Sequence, residues 1–164
     1  MSLTSALMRA NCQVIYTDGA TGQVTVSRTP LVTMTDGNGT DQANRFYESG
    51  NTSVGTTIAA SGTLVLNLSS LTDAFGVAIA ATKIKAILIE HLRASSASGI
   101  TIGGGTNPVF GTQIVSLALG AGDFFEYVRR AGYTVTASSA DRITITNSDG
   151  SNAAKVRVTL LLSQ

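Results

Sequence analysis

The fold is decided by three segments near the C-terminus: Tyr133-Thr134-Val135-Thr136-Ala137, Arg142-Ile143-Thr144-Ile145-Thr146 and Lys155-Val156-Arg157-Val158-Thr159-Leu160-Leu161-Leu162. Each alternates with period two and is rich in β-branched residues. Between them stand the turn-forming clusters Ser138-Ser-Ala-Asp141 and Asn147-Ser-Asp-Gly-Ser-Asn152. Such alternation, cut by Gly, Asn, Asp and Ser, is the pattern of half-buried strands. The spacing predicts an antiparallel meander within a sandwich or barrel.

Working outward, the rest of the chain has the same texture. Thr63-Leu-Val-Leu-Asn-Leu68 predicts a strand, as do Ile114-Val-Ser-Leu-Ala-Leu119 and Asp123-Phe-Phe-Glu-Tyr-Val128. Gly99-Ile-Thr-Ile102 is a short strand that ends in a glycine turn at Gly103-Gly-Gly105. Leu71-Thr-Asp-Ala-Phe-Gly76 predicts a helical turn or a tight loop stopped by Gly76. The most apolar stretch, Thr82-Lys-Ile-Lys-Ala-Ile-Leu-Ile-Glu-His-Leu92, fits two templates. Ile84, Ile87, Leu88 and Leu92 have helical spacing, but the isoleucine content and the all-β neighbourhood favour a central strand buried on both faces. Towards the N-terminus, Gln13–Tyr16 and Gly22–Val26 flank a Gly-containing loop and predict a hairpin. Pro30–Thr35 and Asn44–Glu48 are further short strands, with Pro30 at a strand start, where a missing donor is tolerated. The expected fold class is all-β: an antiparallel β-sandwich over residues 46–164, with the jelly roll as one arrangement that fits. Residues 1–45 form an extended N-terminal arm and hairpin.

Composition narrows the function. At 164 residues the chain has the size of one domain with a real core, and 43% hydrophobic with 13% charged residues is no disordered composition. The net charge is +1, and the longest basic run is the pair Arg129-Arg130, so a nucleic-acid partner is not expected. No apolar run approaches a membrane span, and no basic n-region precedes an apolar stretch at the N-terminus. The single cysteine, Cys12, excludes an intramolecular disulfide and a multi-cysteine zinc site.

No catalytic, cofactor or metal set emerges. His91 is the only histidine, and its neighbour Glu90 falls on the opposite face of a strand, so the two do not form an acid–base pair. No Gly-x-Ser-x-Gly elbow is present. Asp36-Gly-Asn-Gly-Thr-Asp41 begins like a calcium loop but has Asp41 where glycine is required and Tyr47 where a bidentate glutamate belongs, so it is a turn cluster. Asp123 and Glu126 show no pairing that would make a glycosidase dyad. Ile102-Gly-Gly-Gly-Thr106 lacks dinucleotide spacing, and the sequons at Asn38, Asn51 and Asn67 are chance matches in a Ser/Thr-rich chain. The candidate contact residues are Phe125, Arg129 and Arg130, because aromatic residues and arginine concentrate in interface hot spots. Phe124 and Tyr127 are expected to turn into the core.

From Thr63 onward, a leucine-rich strand leads into Leu71-Thr-Asp-Ala-Phe-Gly76 and Lys83-Ile-Lys-Ala-Ile-Leu-Ile89. A Gly-Gly turn follows, then Gly122-Asp-Phe-Phe125, Gly132-Tyr-Thr-Val-Thr-Ala137, Asp141-Arg-Ile-Thr-Ile-Thr-Asn-Ser148 and a final hydrophobic strand. This order resembles small β-sandwich virion structural proteins of tailed bacteriophages, of the capsid decoration or cement class. The resemblance implies a non-enzymatic, cofactor-free protein made in the host cytoplasm and placed on the outer capsid surface. It also implies a homo-oligomer, typically a trimer, that bridges major capsid protein subunits. A tail or fibre component with a receptor- or glycan-binding role is the alternative. The resemblance carries no catalytic residues and leaves residues 1–45 outside it.

Overall fold

The computed structural model describes residues 6–9, 12–18, 22–28, 31–49, 55–73, 76–92 and 99–164. The Asn51 sequon and the tip of the loop after Asp18 lie outside them. The described residues contain strands and no helix. In chain order the strands are β1 (Ala6–Arg9), β2 (Cys12–Asp18), β3 (Gly22–Arg28), β4 (Leu31–Asp36), β5 (Gln42–Ala43), β6 (Arg45–Glu48), β7 (Thr56–Ile58) and β8 (Thr63–Asn67). They continue with β9 (Leu71–Thr72), β10 (Ala78–Ile79), β11 (Lys83–Leu92), β12 (Ile100–Ile102), β13 (Leu117–Leu119), β14 (Phe124–Thr134), β15 (Arg142–Asn147) and β16 (Ala154–Ser163).

Two antiparallel sheets carry the core. One has the order β14-β11-β16-β6, with β7 continuing along the same side of β16 as β6. The other has the order β13-β12-β15-β8. Both supply one apolar cluster: Ile87, Ile89, Val158 and Leu160 come from the first, and Leu66, Ile102, Ile143 and Ile145 from the second. Period-two alternation explains this, since every second residue of β15 and β16 reaches the shared interior. The hairpin expected around residues 13–26 is present as β2 paired with β3, with Val14 opposite Val26 and Tyr16 opposite Val24.

A smaller core lies on the outer face of the first sheet. Met34 and Ala43 are fully buried there against Ala86 and Leu161, with Val32 and Val128 at its margin. Strands β4 and β5 therefore strap the outer face of β11 and β16, and β1 pairs with the far side of β4.

Several expectations need correction. The C-terminal segments do not form a meander, because β15 and β16 are consecutive in the chain but belong to different sheets. The connection between them is too long for a two-residue hairpin turn and is internally braced. The buried Asn147 amide donates to the carbonyls of Ala59 at 3.0 Å and Asn152 at 2.8 Å, and the Asp149 carboxylate accepts from the backbone of Ser151 at 2.8 Å and Asn152 at 3.0 Å. Tyr133–Ala137 is not a separate strand either; Tyr133 and Thr134 end β14, and the chain then leaves the ladder for a turn with Ser138 at φ 65°. The strand expected from Ile114 begins only at Leu117, since tight turns from Pro108 to Gln113 hold the chain off the sheet and leave Val115 61% exposed. Of the helical turn or tight loop expected over Leu71–Gly76, the described residues fit the tight loop, which follows strand β9 and is joined by Asp73 N–H donating to Val77 O at 2.9 Å. Thr72 pairs with Ala78 and Leu71 with Ile79, and the connection is closed by the Asp73 carboxylate accepting from Val77 N at 2.8 Å.

The 82–92 segment is strand β11, and its helix-like spacing has a specific cause. Ile84 faces Leu162 on β16 while Ala86 faces Leu161, so Lys85 is an extra residue with no partner across the ladder. Such a bulge reverses the inside–outside parity of everything after it.

Candidate functional site

The candidate contact residues lie along β14, at the edge of the five-stranded sheet. Its first half pairs regularly with β11, from Glu90 opposite Phe124 to Ala86 opposite Val128; the next paired residue is Tyr133, opposite Ile84. Arg129, Arg130, Ala131 and Gly132 thus arch out of register where β11 carries its own extra residue, Lys85. Gly132 makes the arch possible: its φ is +82°, and a Cβ there would sit 2.9 Å from Lys83 Cβ.

The arch divides the two arginines. The Arg129 guanidinium lies 4.6 Å from the centre of the Tyr133 ring, a cation–π contact. Tyr133 in turn meets Phe110 edge-on at 5.1 Å and Tyr127 at 5.5 Å, and its hydroxyl donates to Gln113 Oε1. The hydrogen bond with Tyr133, followed by burial, holds the Tyr127 hydroxyl above the usual phenol range. Val109, Phe110, Gln113, Arg129, Tyr133 and Thr134 line an open cleft of about 380 Å³ here. Arg130 turns the other way and forms a bidentate ion pair with Asp41. That pair keeps the Asp41 carboxyl below the usual carboxylate range, against burial, which pushes it up.

The aromatic residues of β14 are placed opposite to expectation. Phe124 is 65% exposed, whereas Phe125 packs against the main core. Tyr127 stands at the rim, 36% exposed. Positions 124 and 127 differ by an odd number, so a regular strand cannot turn both inward. Tyr127 follows Phe125, and at an edge strand the inward side is still partly open.

Lys85 is the residue the sequence did not single out. It is fully buried. Its ammonium donates to three carbonyl oxygens: Gly39 at 2.6 Å, Arg130 at 3.1 Å and Ala131 at 3.3 Å. Burial, and then the charge of Lys83, pull its pKa down, while Asp41 opposes them. The oxygen-rich 36–41 loop therefore faces a cation that belongs to the chain itself. The loop is folded as a turn, with Gln42 Oε1 accepting from Gly39 N at 2.9 Å and Asp41 N donating to Arg130 O at 3.2 Å. A lysine between Ile84 and Ala86 gives no sequence signal of this role, because the bulge that turns it to the outer face of the sheet is itself a product of tertiary pairing.

His91 and Glu90 part as adjacent strand residues should. His91 is 1% exposed, and its backbone N–H bonds Asp123 O at 2.9 Å. Glu90 receives two bonds from Arg157, at 2.7 and 3.1 Å, and Glu48 lies 3.9 Å from the same guanidinium. Among the described residues no group of three or more His, Cys, Asp or Glu side chains is placed to hold a metal ion. No protein-family model, curated protein or solved structure matches this chain.

Proposed function

We propose that this protein is a non-enzymatic structural component of a tailed-phage virion, decorating the outside of the capsid. As a homo-oligomer, a trimer in this reading, it bridges neighbouring major capsid protein subunits. The observation that carries the proposal is the strand order. Taking β6 and β7 as one broken strand, the two sheets run first-eighth-third-sixth and second-seventh-fourth-fifth, which is the order of an eight-stranded jelly roll. That architecture recurs in capsid and lectin domains.

The surface suits such a role. A thinly charged exterior with an edge strand bearing Phe124, Tyr127 and Arg129 presents aromatic and arginine side chains where a neighbouring subunit can bury them. Repetition over a shell makes modest single contacts act together. The N-terminal strands, which end in the β2–β3 hairpin, extend the gripping surface as an arm.

Counting copies per purified particle by quantitative mass spectrometry tests this. Decoration requires copies on the order of hundreds, as multivalent shell binding implies. A few copies, or a few dozen, would overturn it in favour of a tail or fibre component. The cleft beside Tyr133 favours that second reading to a degree, since an aromatic ring with an amide and a guanidinium around it is suited to a glycan. Binding of host-surface glycans that is lost in Tyr133→Ala would support it.

A further inference from the structure

Three independent contacts converge on one point, where the strap formed by residues 36–43 meets the arch of residues 129–132. The Lys85 ammonium bridges the Gly39 carbonyl of the strap to the Arg130 and Ala131 carbonyls of the arch. Asp41 N donates to Arg130 O at 3.2 Å. The Asp41 carboxylate holds the Arg130 guanidinium.

We propose that Lys85 is a latch that makes the strap and the arch open and close as one unit. An ammonium has three N–H donors, and here three carbonyls from two separate segments satisfy all of them. Lifting the strap alone would take away the shortest of these bonds and leave a buried cation with an idle donor. Lifting the arch alone would take away the other two. A buried charge short of its hydrogen bonds is strongly disfavoured, so each half-open state lies above the state in which both segments leave together and water reaches the ammonium. The bulge completes the device, because Lys85 has no partner across the ladder and turns to the outer side between Ile84 and Ala86.

The consequence is a coupling between two surfaces. Residues 36–43 carry Ala43, which with Met34 covers Ala86 and Leu161 on the outer face of the first sheet. The arch carries Arg129, which stacks on Tyr133 beside the open cleft. Anything that displaces the strap thus disorganises the Arg129 surface. Anything that grips the arginines holds the strap down.

Hydrogen exchange on the full chain, read by mass spectrometry, tests the latch without reference to any partner. In Lys85→Met, exchange of the amides in 37–43 and in 129–132 is expected to quicken at least tenfold in both segments, while β15 and the β16 residues 158–160 keep their protection. Quickening in only one segment, or in neither, overturns the proposal. Should Lys85→Met fail to fold, the unmodified protein in low urea supplies the second measurement. The two segments must then show the same opening constant and the same urea dependence, and two distinct openings would overturn the latch.

Discussion

Ile84 and Ile87 are three residues apart on one strand, yet both are buried in the same core, at 1% and 0% exposure. A regular strand would send them to opposite faces. The extra residue Lys85 between them restores the match, and after it the inward positions become Ile87, Ile89 and His91. Ile87→Ala should therefore lower the unfolding free energy by about 2–5 kcal/mol. Leu88→Ala, on the half-buried outer side, should lower it by about 1 kcal/mol. Urea titrations with unchanged slopes check the pair, and equal losses would contradict the parity assigned here.

Phe124 and Phe125 give a second contrast from adjacent positions. Phe125 packs against the main core and Phe124 is 65% exposed. Phe125→Ala is expected to destabilise by about 1–3 kcal/mol, and Phe124→Ser by less than about 0.5 kcal/mol. If Phe124 is a contact residue of the assembled particle, Phe124→Ser retains its melting temperature but loses binding to particles stripped of this protein. A co-sedimentation assay reads that loss.

Glu90 and Arg157 face each other across β11 and β16 and exchange two charge-assisted hydrogen bonds, with both side chains less than a third exposed. The contact with Glu90 raises the Arg157 pKa first, with Glu48 adding to it. A double-mutant cycle with Glu90→Gln and Arg157→Met should return a coupling of about 1–2 kcal/mol. The coupling should shrink only modestly in molar salt, because the pair is partly shielded from water.

Acid sensitivity should centre on Asp141. Its carboxyl is held below the usual range first by the backbone N–H of Ser138, at 2.8 Å, and then by the Ser69 hydroxyl, at 3.0 Å. Asp149 is lowered in the same way by Ser151 and Asn152. With folded values below the unfolded carboxylate value of about 3.9, the unfolded chain binds more protons in the intervening window. Stability is then complete above that unfolded value and is lost as pH falls through the folded ones. Asp141→Asn should flatten the acid limb of a melting-temperature profile while lowering its plateau. An unchanged slope below pH of about 4 would contradict this assignment.

Local chemistry alone was enough to reveal the β-rich character, the β2–β3 hairpin, and the strands at Thr63–Asn67, Arg142–Asn147 and Ala154–Ser163. Alternation and turn residues are properties of neighbours in the chain, so they can be read there. Which sheet each strand joins could not, because β15 and β16 part company through contacts with β8, β12, β11 and β6, distant in sequence. Nor could the latch. A lysine between Ile84 and Ala86 carries no local mark of burial, and the Asp36–Asp41 loop shows its oxygens but not the cation that meets them. Only the packed structure settled those points, since one extra residue in a ladder reverses which side chains face inward, and its position is selected by the partner strands.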